Sequence, residues 1–477
     1  MLKKSLVLMS ISAAFFAQAQ DISVIRNSAE IYSNSPNVGS SKFNAMAGAN
    51  GALGGDASSL LTNPAGLGVA ISGDASGTLS INSNKNTSSL AGSSVNYTSN
   101  KTDIGNAGGV IAIPLMSKTG WKFINIGVNY SNQSIENYVE SPGNQNVIIS
   151  KSLKDSNGNN VNGKMSYLGH NYDRLGNQSK MNIGVGANYE NRLYIGAGLN
   201  FHYASIDQSE HALFGLDLDN SVDSYKKQFT PYSERSNGFS ASIGVIGKIS
   251  NQLRLGASIE TPTWWNIDRA YSEYYVNKDD NNNIYYNNYG EDRSFRSPMK
   301  ATVSAAFVPN KNFALNVDYT LGLTKPKYTV RGGAEADLNS FFNDLYKNVS
   351  EVKVGAEYRI QNFRLRGGYA YASSPFDAFS INAYNNAGAI GNTNYSDMIL
   401  GSRNTIGAGI GYDFGQFYVD AAYQNITSNY KNVFLYGDAD AGTGYYSGNF
   451  DVASPASVVS DVKNNRNNFF VTVGWKF

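Results

Sequence analysis

The chain has 477 residues with 48 glycines, 32 tyrosines and no cysteine, and a net charge of +1 although only 16% of its residues are charged. The near-neutral balance argues against a nucleic-acid partner, which needs a basic patch, and the missing thiols exclude disulfides, thiolate metal sites and a lipid anchor on cysteine. Sparse charge with many aromatics and glycines suits a surface that faces lipid at one height and water at others.

Taken in order, Met1 to Lys4, the apolar run Leu6 to Ala17 and the Ala17-Gln18-Ala19 site read as a signal peptide over residues 1–19. No later stretch approaches the ~20 apolar residues of a helical span. Residues 20–72 follow as an N-terminal segment whose Gly48 to Gly68 part is too small and polar to build a core. Its glycines allow close backbone approach. Asn63-Pro64 sets an extended or turn conformation there.

From about Asp74 the chain settles into ten-residue segments of alternating apolar and polar side chains, the period of a two-faced strand. In Asn312 to Leu323, Phe313, Leu315, Val317, Tyr319 and Leu321 share one face and Asn316, Asp318 and Thr320 the other. Gln416 to Gln424 repeats the pattern. Six tight turns are predicted, at 190–191, 250–251, 309–310, 361–362, 415 and 114–119, alternating with seven long Asn/Tyr/Ser-rich connections at 83–102, 132–177, 207–235, 263–295, 323–349, 374–401 and 428–463. Together they join about fourteen strands, with residues 86–98 extending into the first loop. An even strand number with short turns on one side is the pattern of an outer-membrane β-barrel, here over residues 73–477. Soluble β-sandwiches also alternate, but not with such unequal loops. The last strand places Phe469, Val471, Val473, Trp475 and Phe477 on one face, and Phe477 reads as a signal to the outer-membrane assembly machinery.

Within the loops, Leu338, Phe341, Phe342 and Leu345 have the spacing of a short amphipathic helix that covers the barrel mouth. Trp264-Trp265 read as part of the interfacial aromatic girdle. Asp155-x-Asn157-x-Asn159 and Asp279-x-Asn281-x-Asn283 invite a calcium reading, but Asn160 and Ile284 replace the turn glycine and no Glu follows at the twelfth position. Gly184-x-Gly186 and Gly407-x-Gly409-x-Gly411 lie within strands and read as small lumen-facing residues, not a phosphate loop. His170, His202 and His211 lack metal-ligand spacing, and no nucleophile elbow is present. The residues thus imply no enzyme, no cofactor and no metal. A barrel esterase and haem uptake through His211 and the loop tyrosines are the chemical alternatives.

Asn63-Pro64-Ala65-Gly66-Leu67, preceded by Gly54-Gly55-Asp56-Ala57-Ser58, resembles the N-terminal hatch of the long-chain fatty-acid transporter (FadL) family, which includes toluene-transporter-like proteins. Phe363 to Tyr371, then Ser374-Pro375 and Ile406 to Tyr412, resemble that family's late strands. The resemblance implies an all-β transmembrane barrel of fourteen strands, plugged by a hatch at Asp56, Asn63, Pro64, Ala65 and Gly66. It implies passive uptake of a hydrophobic small molecule, a fatty acid or hydrocarbon, through a lumenal pocket with lateral exit into the membrane. Expected surroundings are outer-membrane lipids around a monomeric barrel. Some barrels similar to this family serve protein-secretion complexes, which gives the alternative function. Arg254, Glu357, Arg359, Arg364 and Arg366 are the candidate lumenal charges. A two-residue turn at Gln361-Asn362 pairs Arg359 with Arg364 and Glu357 with Arg366. The like-charge pair calls for an acidic partner: Asp56 of the hatch is the expected one, and the head group of a carboxylate ligand passing through is the alternative.

Overall fold

The structure is a computed structural model and describes residues 20–116, 119–154, 160–218, 221–277, 283–434 and 456–477. Fourteen antiparallel strands form a closed barrel: Asp74–Leu90, Ser93–Pro114, Trp121–Ser134, Asn160–Tyr189, Leu193–Leu218, Ser221–Lys248, Leu253–Glu260, Lys300–Asn310, Phe313–Gly322, Ser350–Ile360, Phe363–Ala372, Arg403–Asp413, Phe417–Phe434 and Val458–Lys476. The first strand pairs with the last from Asp74↔Lys476 to Ser89↔Asp461, so no sheet edge is left open. Gly73 and Phe477 exchange both backbone hydrogen bonds at 2.8 and 3.1 Å, which continues this seam to the C-terminal residue.

Alternation decides which way each side chain points. On Phe313–Gly322, Val317 and Tyr319 are exposed while Asn316 and Asp318 are buried. On the last strand Phe469, Val471, Val473, Trp475 and Phe477 point outward, and Phe470 and Thr472 point in. The outer face is thereby a continuous apolar band, the surface that hydrocarbon stabilises. At the short-turn end the rings of Phe363, Tyr412, Phe414, Phe417 and Trp475 follow one another at 4.4 to 6.0 Å, an aromatic girdle. No helix among the described residues is long and apolar enough to cross a membrane.

The long connections differ from the expected irregular loops. Asn160–Tyr189 runs 30 residues and Ser221–Lys248 runs 28, whereas about 9–11 residues span a bilayer as a strand. Most of 83–102, 132–177 and 207–235 therefore continues the ladder above the membrane. Both faces there are polar or packed, so the amphipathic period fades while the hydrogen bonds persist. A further hairpin, Trp264–Asn277 with Asn283–Arg296, leaves the barrel between Pro262 and Pro298, where the missing N–H groups interrupt the ladder. Its first strand rejoins the wall at Phe239↔Trp264. A helix spans Gly333–Leu345, started by the Glu335 carboxylate accepting from the Gly332 N–H at 2.8 Å.

Candidate functional site

Residues 20–72 lie inside the barrel, and the inner wall is shaped to receive them. The backbone of residues 45–68 runs so close to the strands that a Cβ on Gly196 would stand 2.4 Å from the Pro64 carbonyl, and one on Gly368 2.2 Å from Met46. Gly186 lies against Leu67 and Gly407 against Ala45 in the same way. Asn63 is the central fastener. Its amide donates to the Gly51 carbonyl at 2.9 Å and to Val245 of the wall at 3.2 Å, and its oxygen accepts from the Ala65 N–H at 3.0 Å. Pro64 starts the short helix Pro64–Val69, where its missing N–H costs nothing. Ala65 and Gly66 are buried beside it.

Sequence reasoning did not single out the opposite fastener. Asp318, 1% exposed, accepts from the Asn50 and Gly51 N–H groups at 3.0 to 3.2 Å and from the Asn316 amide at 2.7 Å. Asn316 in turn accepts from the Ala52 N–H at 3.2 Å. The detectable signal was a carboxylate on the inward face of an otherwise regular strand, a group that must find donors when buried.

The rim charges pair differently from expectation. The register Ile360↔Phe363, Arg359↔Arg364, Glu357↔Arg366 is observed. Asp56, however, does not reach Arg364: it pairs with Lys42 at 2.8 Å. Glu357 fills the gap from within the hairpin, meeting Arg359 at 2.6 Å and Arg366 at 2.7 Å. Arg366 also meets Asp420 at 3.0 Å. Arg364 turns to Asp413 on the next strand, which also takes Lys476 at 2.5 Å. Carboxylates on the same or adjacent strands are nearer than any on the N-terminal segment, so the wall neutralises its own arginines. Arg254 donates to the Leu53 carbonyl at 3.2 Å.

At the long-loop end the N-terminal segment enters an apolar cluster. Ile22, Val24, Ile25 and Ile31 pack with Leu338, Phe341, Phe342 and Leu345 of the helix, and with Phe376, Phe379 and Trp265. Trp264 faces outward, stacked on Phe239 at 6.4 Å, but Trp265, its neighbour in a strand, faces inward and donates to the Tyr32 carbonyl at 3.0 Å. Alternation forbids both from joining one girdle. Tyr32 donates to Glu234 at 2.7 Å, and Glu234 accepts from Arg269 at 2.6 Å. Glu30 meets the buried Arg174 at 2.9 Å and Arg466 at 3.4 Å. Burial alone would raise the Glu30 pKa, and these arginines hold it below the usual carboxylate range instead.

Two cavities flank the segment. The larger, about 310 Å³, lies in mid-lumen, and its lining includes seven Lys or Arg residues and four Glu. The smaller, about 280 Å³, opens at the short-turn rim, with Lys42, Arg254, Lys311 and Arg359 facing Glu357. Of the other motifs, Tyr271 and Tyr289 stack on each other at 5.2 Å, and His211 sits in the extended wall. Asp155, Asn157, Asn159, Asp279 and Asn281 lie outside the described residues, as do residues 1–19.

No protein-family profile matches the sequence, and no curated protein matches it. Solved structures do resemble the fold. A FadL homologue of Pseudomonas aeruginosa superposes with a TM-score of 0.54 at 13% identity, over 92% of this chain and 98% of its own. The toluene transporter TodX of P. putida gives 0.53 at 12% identity over 92% and 98%. The CymD monoaromatic hydrocarbon channel gives 0.51 at 11% identity over 92% and 97%. The fold of this chain is therefore that of a FadL-like barrel.

Proposed function

We propose that the chain is an outer-membrane transporter for hydrophobic small molecules, long-chain fatty acids or hydrocarbons. In this reading residues 1–19 direct export, residues 20–72 act as a hatch, and residues 73–477 form a monomeric barrel. Uptake is passive, with the short turns in the periplasm and the ligand leaving sideways into the membrane. The observation that carries the proposal is the apolar cluster at the long-loop end, where Phe341, Phe376 and Phe379 meet the Ile22 and Ile25 side chains of the hatch. An apolar solute gains free energy on leaving water for such surroundings, and the hatch residues there are the ones it would displace. The likeness to toluene and hydrocarbon channels supports the same reading. Fold alone does not assign a substrate.

The test is native mass spectrometry of gently extracted protein, together with uptake of labelled toluene and hexadecanoate by expressing cells. A co-purifying lipid or hydrocarbon is expected, and Phe341→Asp should reduce uptake by about tenfold, as expected for placing a charge in an apolar site. A stoichiometric protein partner with no small ligand and no uptake would instead make the barrel a component of a secretion complex.

A further inference from the structure

The mid-lumen cavity has mixed walls. Apolar groups line it where it adjoins the apolar cluster, at Ile31, Ile135 and Leu400, and away from that cluster, at Leu60, Leu61 and Ile259, while Asn82, Asn84, Ser99, Thr302, Thr320 and Asn464 face it between them. Some of these groups pair with each other, Thr302 with Thr320 at 2.8 Å and Asn464 with Asn84 at 2.6 Å, but an alkyl chain filling the cavity would still strip water from the lysines around it.

The charges around the cavity are unevenly matched. Lys101 has Glu136 at 2.6 Å. Lys180 has Glu260 at 2.7 Å, and the same oxygen of Glu260 accepts from Asn200 and Ser240. Glu351 serves two cations, Lys353 at 3.0 Å and Arg403 at 3.8 Å. Glu30 likewise serves Arg174 and Arg466. Arg26 has no carboxylate but donates to Asn432 at 2.6 Å and lies over the Tyr172 ring, which leaves Lys300. It stands between Glu260 and Gly322 in the ladder, within electrostatic range of Glu260 and Glu351, which are already engaged by other cations, and of Lys180 and Lys353. No carboxylate among the described residues lies within ion-pair distance of it. On the far side of the hatch the rim cavity is also rich in cations, with Arg254, Lys311 and Arg359 around Glu357 and Lys42 paired with Asp56.

We infer that the mid-lumen cavity is a binding site for a small polar oxyanion bearing two or more negative charges, held by Lys300 with Lys180 and Lys353 beside it. Such a ligand supplies the charge that the surplus lysine lacks and accepts hydrogen bonds from the amide and hydroxyl lining. A multiply charged ligand is favoured over a monoanion because the lining carries three more cations than carboxylates. The site adjoins the apolar cluster, and its anionic ligand goes beyond the hydrophobic cargo proposed above.

The test uses the full chain folded in detergent, with citrate and inorganic pyrophosphate as probes and acetate and dodecanoate as controls. Calorimetric titration should show both polyanions binding at least about tenfold more tightly than acetate, with an affinity that falls as salt is raised. Lys300→Gln should weaken polyanion binding by about tenfold, and Lys300→Arg should retain most of it. Folding is read from the shift in electrophoretic mobility on heating. Should K300Q not fold, the comparison of polyanions with acetate on the unsubstituted protein decides alone. Absence of polyanion binding, or equal affinity in folded K300Q, overturns the site. So does dodecanoate competing with citrate and depending on Lys300, because the cavity would then be the head-group end of an amphiphile pocket. Toluene uptake by cells carrying the unsubstituted protein is measured in parallel. Its absence in a protein that binds citrate bears on the hydrophobic cargo and leaves the anion site standing.

Discussion

Asp413 receives Arg364 and Lys476 together at the short-turn rim, and Glu357 receives Arg359 and Arg366. These pairs show why a hairpin register can be read from sequence while its electrostatic partners cannot. The turn at Gln361-Asn362 fixes which residues lie opposite. It does not say that an arginine will reach a carboxylate two residues away or one strand over before one on the hatch. Arg364→Ala and Asp413→Ala should consequently be non-additive, with a coupling of about 0.5–3 kcal/mol in urea unfolding. Arg364→Ala and Asp56→Ala should simply add. Coupling between the second pair and none in the first would return Arg364 to the hatch. Glu30 sits in a comparable network but against Arg174, which is fully buried. Glu30→Gln should cost about 1–3 kcal/mol, the penalty for a buried charge that loses its partner. Because the arginines depress the Glu30 pKa, its contribution is complete at neutral pH and is lost as pH falls through that depressed value. Tryptophan fluorescence of Trp265, packed on Tyr32 at 5.2 Å, should report the loosening; an emission that does not change between pH 7 and acid would count against the role of Glu30.

The strands were legible because their two faces meet different solvents, and legibility ended where that contrast ended. Val317 and Asp318 announce a wall between lipid and lumen. Above the membrane, Asn171 and its neighbours keep their hydrogen-bonded ladder without any such contrast, so the extended hairpins read as loops. The turn at Asn63 in the enclosed segment was legible because an Asn-Pro step within glycines needs a fixed conformation, and the Asn63 oxygen accepts from the Ala65 N–H there. Asp318 was not, since one carboxylate in a lumenal row resembles any other polar lumen residue until the backbone it holds is seen. Gly186 and Gly407 carried more than their reading as small residues suggested: they are the imprint of the enclosed segment's backbone on the wall, whereas Gly411 meets Asp420 of the wall itself. Gly196→Ala tests this at the level of the strand. The new methyl would meet the Pro64 carbonyl at 2.4 Å, and backbone on both sides leaves no flexible side chain to yield. The barrel should still close, with noisier single-channel recordings than the unsubstituted protein. Gly77→Ala, which meets nothing within 4 Å, is the matched control and should stay silent.

For the molecule as a whole, the question is whether the wall stands without what it encloses. Closure depends on the ladder between Asp74–Leu90 and Val458–Lys476, and every bond in that ladder is made outside the hatch. Much of the inner face that the hatch covers is polar. Asn125 holds the Leu67 and Ala70 carbonyls, Gln178 holds those of Ile31 and Asn34, and Ser131 holds that of Val38. Water can take over each of these bonds, so removing the hatch exposes amides and hydroxyls along most of the wall. The apolar cluster at the mouth is different. It would lose Ile22, Val24, Ile25 and Ile31, and Phe341 and Phe342 of the loop helix would lose part of their cover. Deletion of residues 20–72 should therefore give a barrel that keeps its heat-sensitive electrophoretic mobility and conducts steadily in planar bilayers. Its Gly333–Leu345 helix should become readily cleaved by protease. Asn63→Ala with Pro64→Ala should fall between the two states, with intermittent openings and an intact loop helix, because it frees only the lower fastening of the hatch. A deletion variant that shows no folded band would mean that the enclosed segment is part of the barrel's core and cannot serve as a hatch.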